Sequence, residues 1–113
     1  MDQSIFIKTK DEFLKKVDLD LVYFFTKFGR KVIIYYSNRT DEMNTTLYHI
    51  YELLKNNKNF LRSHKSYIIN INFIDKISKY TNKTYNVQFK GTKYQAFITS
   101  NSLKLLSEKI KII

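Results

Sequence analysis

A mainly β fold with short helices is the class that this sequence predicts, on three observations. Segments rich in β-branched and aromatic residues recur along the chain. Apolar and polar residues alternate cleanly in residues 84–90, and apolar residues take helical spacing in residues 47–54 and 102–113. With 113 residues and 43% hydrophobic content, the chain is expected to form one domain over residues 1–113.

Two β-hairpins are expected in the first third of the chain. Each consists of two short runs of strand-forming residues, and the second pair is separated only by Gly29-Arg30, a natural hairpin tip. Polar residues 9–11 are expected to connect the first pair. The four strands are predicted at residues 4–8, 12–17, 21–28 and 31–37.

A short central helix is expected at residues 47–54. Its apolar residues follow the i, i+3, i+4, i+7 pattern that puts them on one face. Thr45 or Thr46 is expected to cap its first turn. His49 falls on the polar side and is interpreted as an ordinary surface residue, because no second histidine or carboxylate cluster shares its spacing.

The second half of the sequence is predicted to form three more strands and a closing helix. Residues 66–80 are apolar on both phases of the alternation, which is typical of a strand covered on both faces. Residues 84–90 are expected to bury one face, and residues 93–99 to return antiparallel. A helix over residues 102–113 is expected to follow a Ser-Asn-Ser cluster that can cap it, with a basic outer side.

The charge balance indicates an anionic partner. The net charge is +10, and residues 55–113 carry nearly all of the excess, because Asp75 and Glu108 are the only acidic residues there. A basic surface of this kind is typical of nucleic-acid-binding domains. A merely solvated lysine-rich surface, produced by biased composition, is an alternative that charge alone leaves open.

Several classes of protein are not expected. The chain has no cysteine and only two histidines, so we expect no disulfide, no zinc site and no cofactor. It also lacks the common catalytic motifs, and a catalytic centre at His64 would need a metal or a carboxylate, for which Asp75 is the only local candidate. The longest apolar run, Leu21 to Phe25, is far shorter than the roughly 18–20 residues of a membrane span. A non-enzymatic, cytoplasmic protein is expected.

One stretch carries a specific signature. In FLRSHKSYIININFIDKI, residues 60–77, five consecutive hydrogen-bonding side chains separate the apolar pairs Phe60-Leu61 and Tyr67-Ile68. This pattern, with a helix just upstream and an alternating strand pair downstream, resembles the LytTR family of bacterial transcription-factor DNA-binding domains. The residues that match the family pattern are Phe60, Arg62, His64, Ser66, Asn70 and Ile74.

The resemblance implies both a fold and a function. It implies an elongated, antiparallel, mainly β domain with one central and one C-terminal helix, whose loops enter successive major grooves on one side of double-stranded DNA. The implied sites are promoter direct repeats, with a second copy possible on the adjacent half-site. No receiver domain is visible, so both a stand-alone regulator and part of a larger response regulator remain open.

In the family, three loops contact DNA, and they correspond here to Lys27–Lys31, His64–Ser66 and Thr99–Asn101. The last loop lacks the arginine that is usual there. Side chains suited to base edges in these loops are Arg30, His64, Lys65 and Asn101. Those assigned to the DNA backbone are Lys27, Lys31, Arg62, Ser66, Lys90, Lys93, Ser100 and Lys104.

Other roles compete at some of these positions. Asn70 is expected to close a turn into Ile71-Asn72 through its side chain rather than to contact DNA. Asn101 suits a helix cap as well as a base contact, and Arg62 suits a tie between loops. Two other functions also stay open: RNA or single-strand binding, which requires exposed aromatic residues beside the lysines, and binding of an acidic protein or an anionic membrane surface.

Overall fold

A computed structural model describes residues 3–8, 11 and 13–113. Within these residues the chain forms short strands, two α-helices and two 3-10 helices, at Leu19–Leu21 and Ile71–Phe73. The α-helices are α1 (Leu47–Leu54) and α2 (Ser100–Ser107). The strands are β1 (Ser4–Lys8), β2 (Leu14–Asp18), β3 (Phe24–Phe28), β4 (Lys31–Tyr35), β5 (Thr40–Met43), β6 (Phe60–His64), β7 (Tyr67–Asn70), β8 (Ile74–Lys79), β9 (Thr84–Phe89) and β10 (Gln95–Thr99).

The described strands form three antiparallel sheets, and the largest is the central layer. Its order is β5-β4-β3-β7-β6, beside a β1-β2 hairpin and a β10-β9-β8 sheet. Successive side chains of a strand point to opposite faces, so adjacent apolar residues serve two cores. Phe25 and Ile68 lie in one core, while their neighbours Phe24 and Ile69 lie in the other. The central sheet is therefore covered on both sides.

Each core is completed by a different helix. On one face, Leu47, Ile50 and Leu54 of α1 pack with the β1-β2 hairpin against the sheet. On the opposite face, the three-stranded sheet and Leu106 of α2 complete the second core. The principal extents are 44 × 33 × 26 Å. The predicted class, an elongated and mainly antiparallel β domain with a central and a C-terminal helix, is confirmed.

The local predictions for α1 and the second hairpin are also confirmed. Helix α1 spans the predicted residues, and Thr46 is its cap, because the Thr46 hydroxyl accepts the His49 amide at 3.1 Å. The β3-β4 turn contains Gly29 at φ +62°, a conformation that glycine adopts without steric cost. His49 is exposed, as expected.

The strand predicted over residues 66–80 is wrong, because the chain turns in its middle. Buried strand β7 ends at Asn70, whose side chain accepts the Asn72 amide at 3.0 Å and donates to the Val22 carbonyl at 2.9 Å. This confirms the turn-closing role predicted for Asn70. A 3-10 helix then leads into β8, whose side chains are half-buried or exposed rather than covered on both faces.

The helix predicted over residues 102–113 is also wrong, since α2 covers Ser100–Ser107. Its cap is Thr99, whose hydroxyl accepts the Ser102 amide at 3.1 Å, and not the Ser-Asn-Ser cluster. The helix ends with a hydrogen bond of the 3-10 type, in which the Glu108 amide donates to the Leu105 carbonyl at 3.2 Å. Ile110, the next apolar residue of the predicted pattern, is 39% exposed, whereas Leu106 is fully buried.

Smaller differences affect the first half. The strand predicted at 12–17 is observed at Leu14–Asp18, and residues 9, 10 and 12 of the predicted hairpin lie outside the described residues. The strands predicted at 21–28 and 31–37 are shorter, Phe24–Phe28 and Lys31–Tyr35, because the first begins only after a 3-10 turn. Strand β5, which pairs with β4, was not predicted.

Candidate nucleic-acid interface

Four loops meet at one end of the strands, and together they form a surface that we term the loop face. It comprises residues 27–31, 64–66, 81–83 and 99–101. Backbone bonds join neighbouring loops, since the Lys27 amide donates to the Ser66 carbonyl and the Ser100 amide to the Lys83 carbonyl, both at 3.0 Å. The loop face contains five Lys and Arg residues and no acidic residue: Lys27, Arg30, Lys31, Lys65 and Lys83.

The bend between β6 and β7 is fixed from within. The Arg62 guanidinium donates to the Lys65 carbonyl at 3.0 Å, and the Ser66 amide donates to Nδ1 of His64 at 3.0 Å. Behind them, the fully buried Ser63 hydroxyl donates to the Phe97 carbonyl of β10 at 2.7 Å. Lys65 itself is exposed. The five polar residues of the signature thus divide between holding the bend and presenting one cation at its tip.

His64 is held in one tautomer. Its Nδ1 accepts a backbone hydrogen bond, so the proton of the neutral ring must lie on Nε2. Partial burial, and then the nearby charge of Lys65, lowers the pKa of His64 below its usual 6.5, so the ring is neutral at pH 7. A neutral His64 offers an Nε2 donor, which suits an acceptor such as guanine O6 or N7.

Acidification is expected to weaken this bend. Because the folded pKa of His64 is lowered, the unfolded chain takes up the proton first, and this contribution to stability falls as pH drops from about 6.5 to below the folded pKa. Protonated Nδ1 also cannot accept the Ser66 amide. We expect a steeper loss of unfolding free energy between pH 7 and 5 in the wild type than in His64→Gln, measured by urea denaturation. Parallel curves for the two proteins would contradict this.

The hairpin tip contributes three cations, which differ in exposure and in ion pairing. Arg30 and Lys27 are exposed, whereas Lys31 is half-buried and its ammonium lies 3.1 Å from the Glu42 carboxylate. That pair compensates part of the charge of Lys31, so Arg30 and Lys27 are the more available of the three.

The start of α2 is the second polar part of the loop face. Asn101 lies exposed in the first turn and Lys104 is exposed one turn later. Thr99 is the cap, so the alternative that Asn101 caps the helix is wrong. A base contact by Asn101 stays a prediction. The Ser100 amide is occupied by the Lys83 carbonyl.

Lys90 and Lys93 are not brought to the loop face. They lie in the β9-β10 connection, where Gln88 pairs with Gln95, whereas Thr84 and Thr99 pair at the other end of the same strands. At about 3.4 Å per residue, four residues of strand separate the two ends by roughly 14 Å. Their assignment to phosphates stays a prediction, but it requires a second contact area.

The β8-β9 turn is a part of the loop face that was not predicted from the sequence. Residues 81–83 join the loop face through the bond from Ser100 to Lys83, and they adjoin the largely exposed Tyr80, whose ring centroid lies 5.0 Å from that of Phe97. A cavity of about 430 Å³ separates this turn from the signature bend and is lined by both Lys27 and Thr81. The turn lies here because β9 pairs with β10, with Thr84 opposite Thr99, and the sequence carried no clear signal for that register.

Two features are absent from the described residues. Among them, no three His, Cys, Asp or Glu side chains come together in a way that would hold a metal ion. No helix in the described part of the chain is long and apolar enough to cross a membrane.

Comparison with known proteins gives the family. Residues 12–111 match the family model of the LytTr DNA-binding domain. The chain belongs to the LytTR family. It is 39% identical over 105 residues to the transcriptional regulatory protein NatR of Bacillus subtilis, an alignment that covers 91% of the chain and 43% of NatR. The LytTR domain described here therefore spans less than half the length of that relative.

A solved structure supports the fold of this LytTR domain independently. It is the LytTr DNA-binding domain of a putative methyl-accepting/DNA response regulator from Bacillus cereus, with a TM-score of 0.73. The match covers 96% of this chain and 97% of the other at 18% identity. At that identity the likeness concerns the fold alone.

Proposed function

We propose that this LytTR domain binds double-stranded DNA sequence-specifically and is the DNA-binding part of a transcriptional regulator. Membership of the LytTR family and the similarity to the transcriptional regulatory protein NatR support this. The observation that carries the proposal is the signature bend: it is bonded on its inner side, while it holds exposed Lys65 and neutral His64 at the centre of an acid-free loop face. Base reading requires fixed donors rather than charge alone.

In this proposal His64 and Lys65 donate to guanine O6 and N7, Asn101 bonds adenine, and Arg30 reads a base from the hairpin tip. Positioning on the duplex comes from contacts to phosphates. The proposed phosphate contacts on or next to the loop face are Lys27, Lys31, Arg62, Ser66, Lys83, Ser100 and Lys104.

The loops are proposed to enter successive major grooves along one side of the duplex. One turn of B-DNA is roughly 34 Å and the longest extent of the domain is 44 Å, so this arrangement requires the loop face to lie along the longest axis of the domain. Direct-repeat sites with a second copy on the adjacent half-site, and a cytoplasmic, non-catalytic regulator, complete the proposal.

Lys65→Ala is expected to reduce discrimination between a selected site and a scrambled duplex by roughly 1–3 kcal/mol, because it removes a base-edge donor from a fixed position. The site would first be obtained by selecting bound duplexes from random DNA. Fluorescence anisotropy then gives the affinity for the selected and for the scrambled duplex, each at two salt concentrations. Equal weakening on both duplexes would demote Lys65 to a phosphate contact.

Lys90→Ala is the matched control, since it removes the same charge at the far end of β9. It should leave the discrimination ratio unchanged. If the selection yields no sequence enriched over bulk DNA, the proposal of specific binding fails.

Single-strand binding is the second candidate, and one observation favours it. Phe28 and Tyr80 are 68% and 65% exposed; Phe28 lies in the loop face and Tyr80 borders it, and that surface also contains Lys27 and Lys83. Exposed aromatic rings next to cations are what base stacking on a single strand requires. A competition between matched single-stranded and duplex DNA separates the two functions, and tighter binding of the single strand would favour this candidate.

A further inference from the structure

A groove runs along β6 between the two helices, next to the signature bend. Strand β6 is the edge of the central sheet, so its outer side has no strand partner within that sheet. Helix α1 borders the groove from one core and α2 from the other. The groove has a volume of about 510 Å³, which is within the usual range for small-molecule sites.

The groove has apolar walls. Tyr51 of α1 and Leu105 of α2 line it, and the core residue Phe60 lies beneath. Leu105 is 50% exposed although it is a large apolar residue. A bound apolar group would remove this surface from water, which favours binding.

The charges lining the groove all have one sign. Apart from the Tyr51 phenol, its ionisable lining is cationic or imidazole, with no Asp or Glu among the residues that line it. Lys55 is paired with Glu52 at 2.9 Å, and Arg62 is occupied by the Lys65 carbonyl. Lys65 and Lys109 form no ion pair within the described part of the chain. The groove therefore has an unpaired ammonium group toward each end: Lys65 at the signature bend and Lys109 near the Phe60 end of β6.

We propose that this groove binds a small anionic molecule with an apolar body, such as an aromatic carboxylate, and that its binding excludes DNA from the signature bend. The anionic group pairs with Lys109, near the Phe60 end of β6, and the apolar body lies between Tyr51 and Leu105 and extends toward the signature bend. The volume accommodates a ligand of this kind. Exclusion of DNA follows because Arg62, His64 and Lys65 belong to both sites, and this second part rests on the proposed function.

The binding itself is tested with 1-naphthoate as the probe and uncharged 1-naphthamide as its control. In an amide NMR titration of the whole chain, we expect 1-naphthoate to shift signals of Tyr51, Lys55, Leu105 and Lys109. We expect 1-naphthamide to bind at least roughly tenfold more weakly, the effect of losing a charge-assisted contact. No saturable shift up to millimolar 1-naphthoate, or equal binding of both probes, would overturn the proposal.

Two matched variants separate the groove from general attraction to a basic protein. Lys109→Gln removes a cation from the groove, and Lys111→Gln removes an exposed cation two residues away that does not line it. We expect Lys109→Gln to weaken 1-naphthoate binding by roughly three- to tenfold. Lys111→Gln should have no such effect. Equal weakening in both variants would mean non-specific anion binding and would overturn the proposal.

The exclusion of DNA is tested separately, with the selected duplex and 1-naphthoate together. Saturating 1-naphthoate should weaken duplex binding in the wild type, and Lys109→Gln should need correspondingly more of the probe. Simultaneous binding of both would overturn the exclusion. If the protein binds 1-naphthoate in the groove but selects no DNA sequence, the proposed function fails while the ligand site stands.

Discussion

Replacing Phe24 by alanine is expected to lower the free energy of unfolding by about 3–5 kcal/mol, the usual range for a large aromatic residue in a core. Phe24 is 1% exposed and stacks on Tyr35 at 4.3 Å and on Phe89 at 5.1 Å between ring centroids. Tyr35 belongs to the central sheet and Phe89 to the three-stranded sheet. The substitution therefore leaves a cavity between the two sheets, in a domain whose total stability is of the order of 5–15 kcal/mol.

We expect Phe24→Ala to weaken DNA binding as well as stability, because the loops of the loop face extend from both sheets. The hairpin tip and the signature bend extend from the central sheet, while the β8-β9 turn extends from the other. Urea denaturation measures the stability of Phe24→Ala. Phe28→Ala is the control, since it removes the same ring four residues along the same strand, where it is 68% exposed. A cost below about 1 kcal/mol for Phe24→Ala would show that the sheets are joined by other contacts.

Features set by nearby residues were predictable from the sequence. The helix α1 has its apolar residues at helical spacing and its cap one residue upstream, so every determinant lies within nine residues. The polar bend is of the same kind, because residues 62 and 65 bond each other and residues 64 and 66 do likewise. The hairpin tip was identified by its glycine.

Features set by distant partners were not predictable in this way. Strand β5 has a single buried residue, Met43, and exists because it pairs with β4. The β8-β9 turn joins the loop face only through Ser100, which lies in another element. For the same reason Lys90 and Lys93 were predicted to contact DNA together with the other cations. The register of β9 and β10 places them at the end of these strands that lies away from the loop face.

The turn after β7 depends on the hydrogen bond from the Asn70 side chain to the Val22 carbonyl, 48 residues away. Asn70 is therefore the second position at which a large effect is expected. Asn70→Ala is expected to cost about 2–3 kcal/mol, because the buried Val22 carbonyl loses its donor and the turn loses the acceptor for the Asn72 amide. Asn70 is 2% exposed, so no solvent replaces it without rearrangement. Thermal and urea unfolding would measure the loss.

Asn72→Ala is the matched control for Asn70→Ala, since it removes an exposed amide side chain two residues away and should change stability by less than about 0.5 kcal/mol. A second control concerns function. Asn70 lies at the end of β7 opposite the signature bend, so Asn70→Ala should keep its sequence discrimination at temperatures where it remains folded. Loss of discrimination in folded Asn70→Ala would mean that Asn70 shapes the DNA contact itself, and its role would then extend beyond closing the turn.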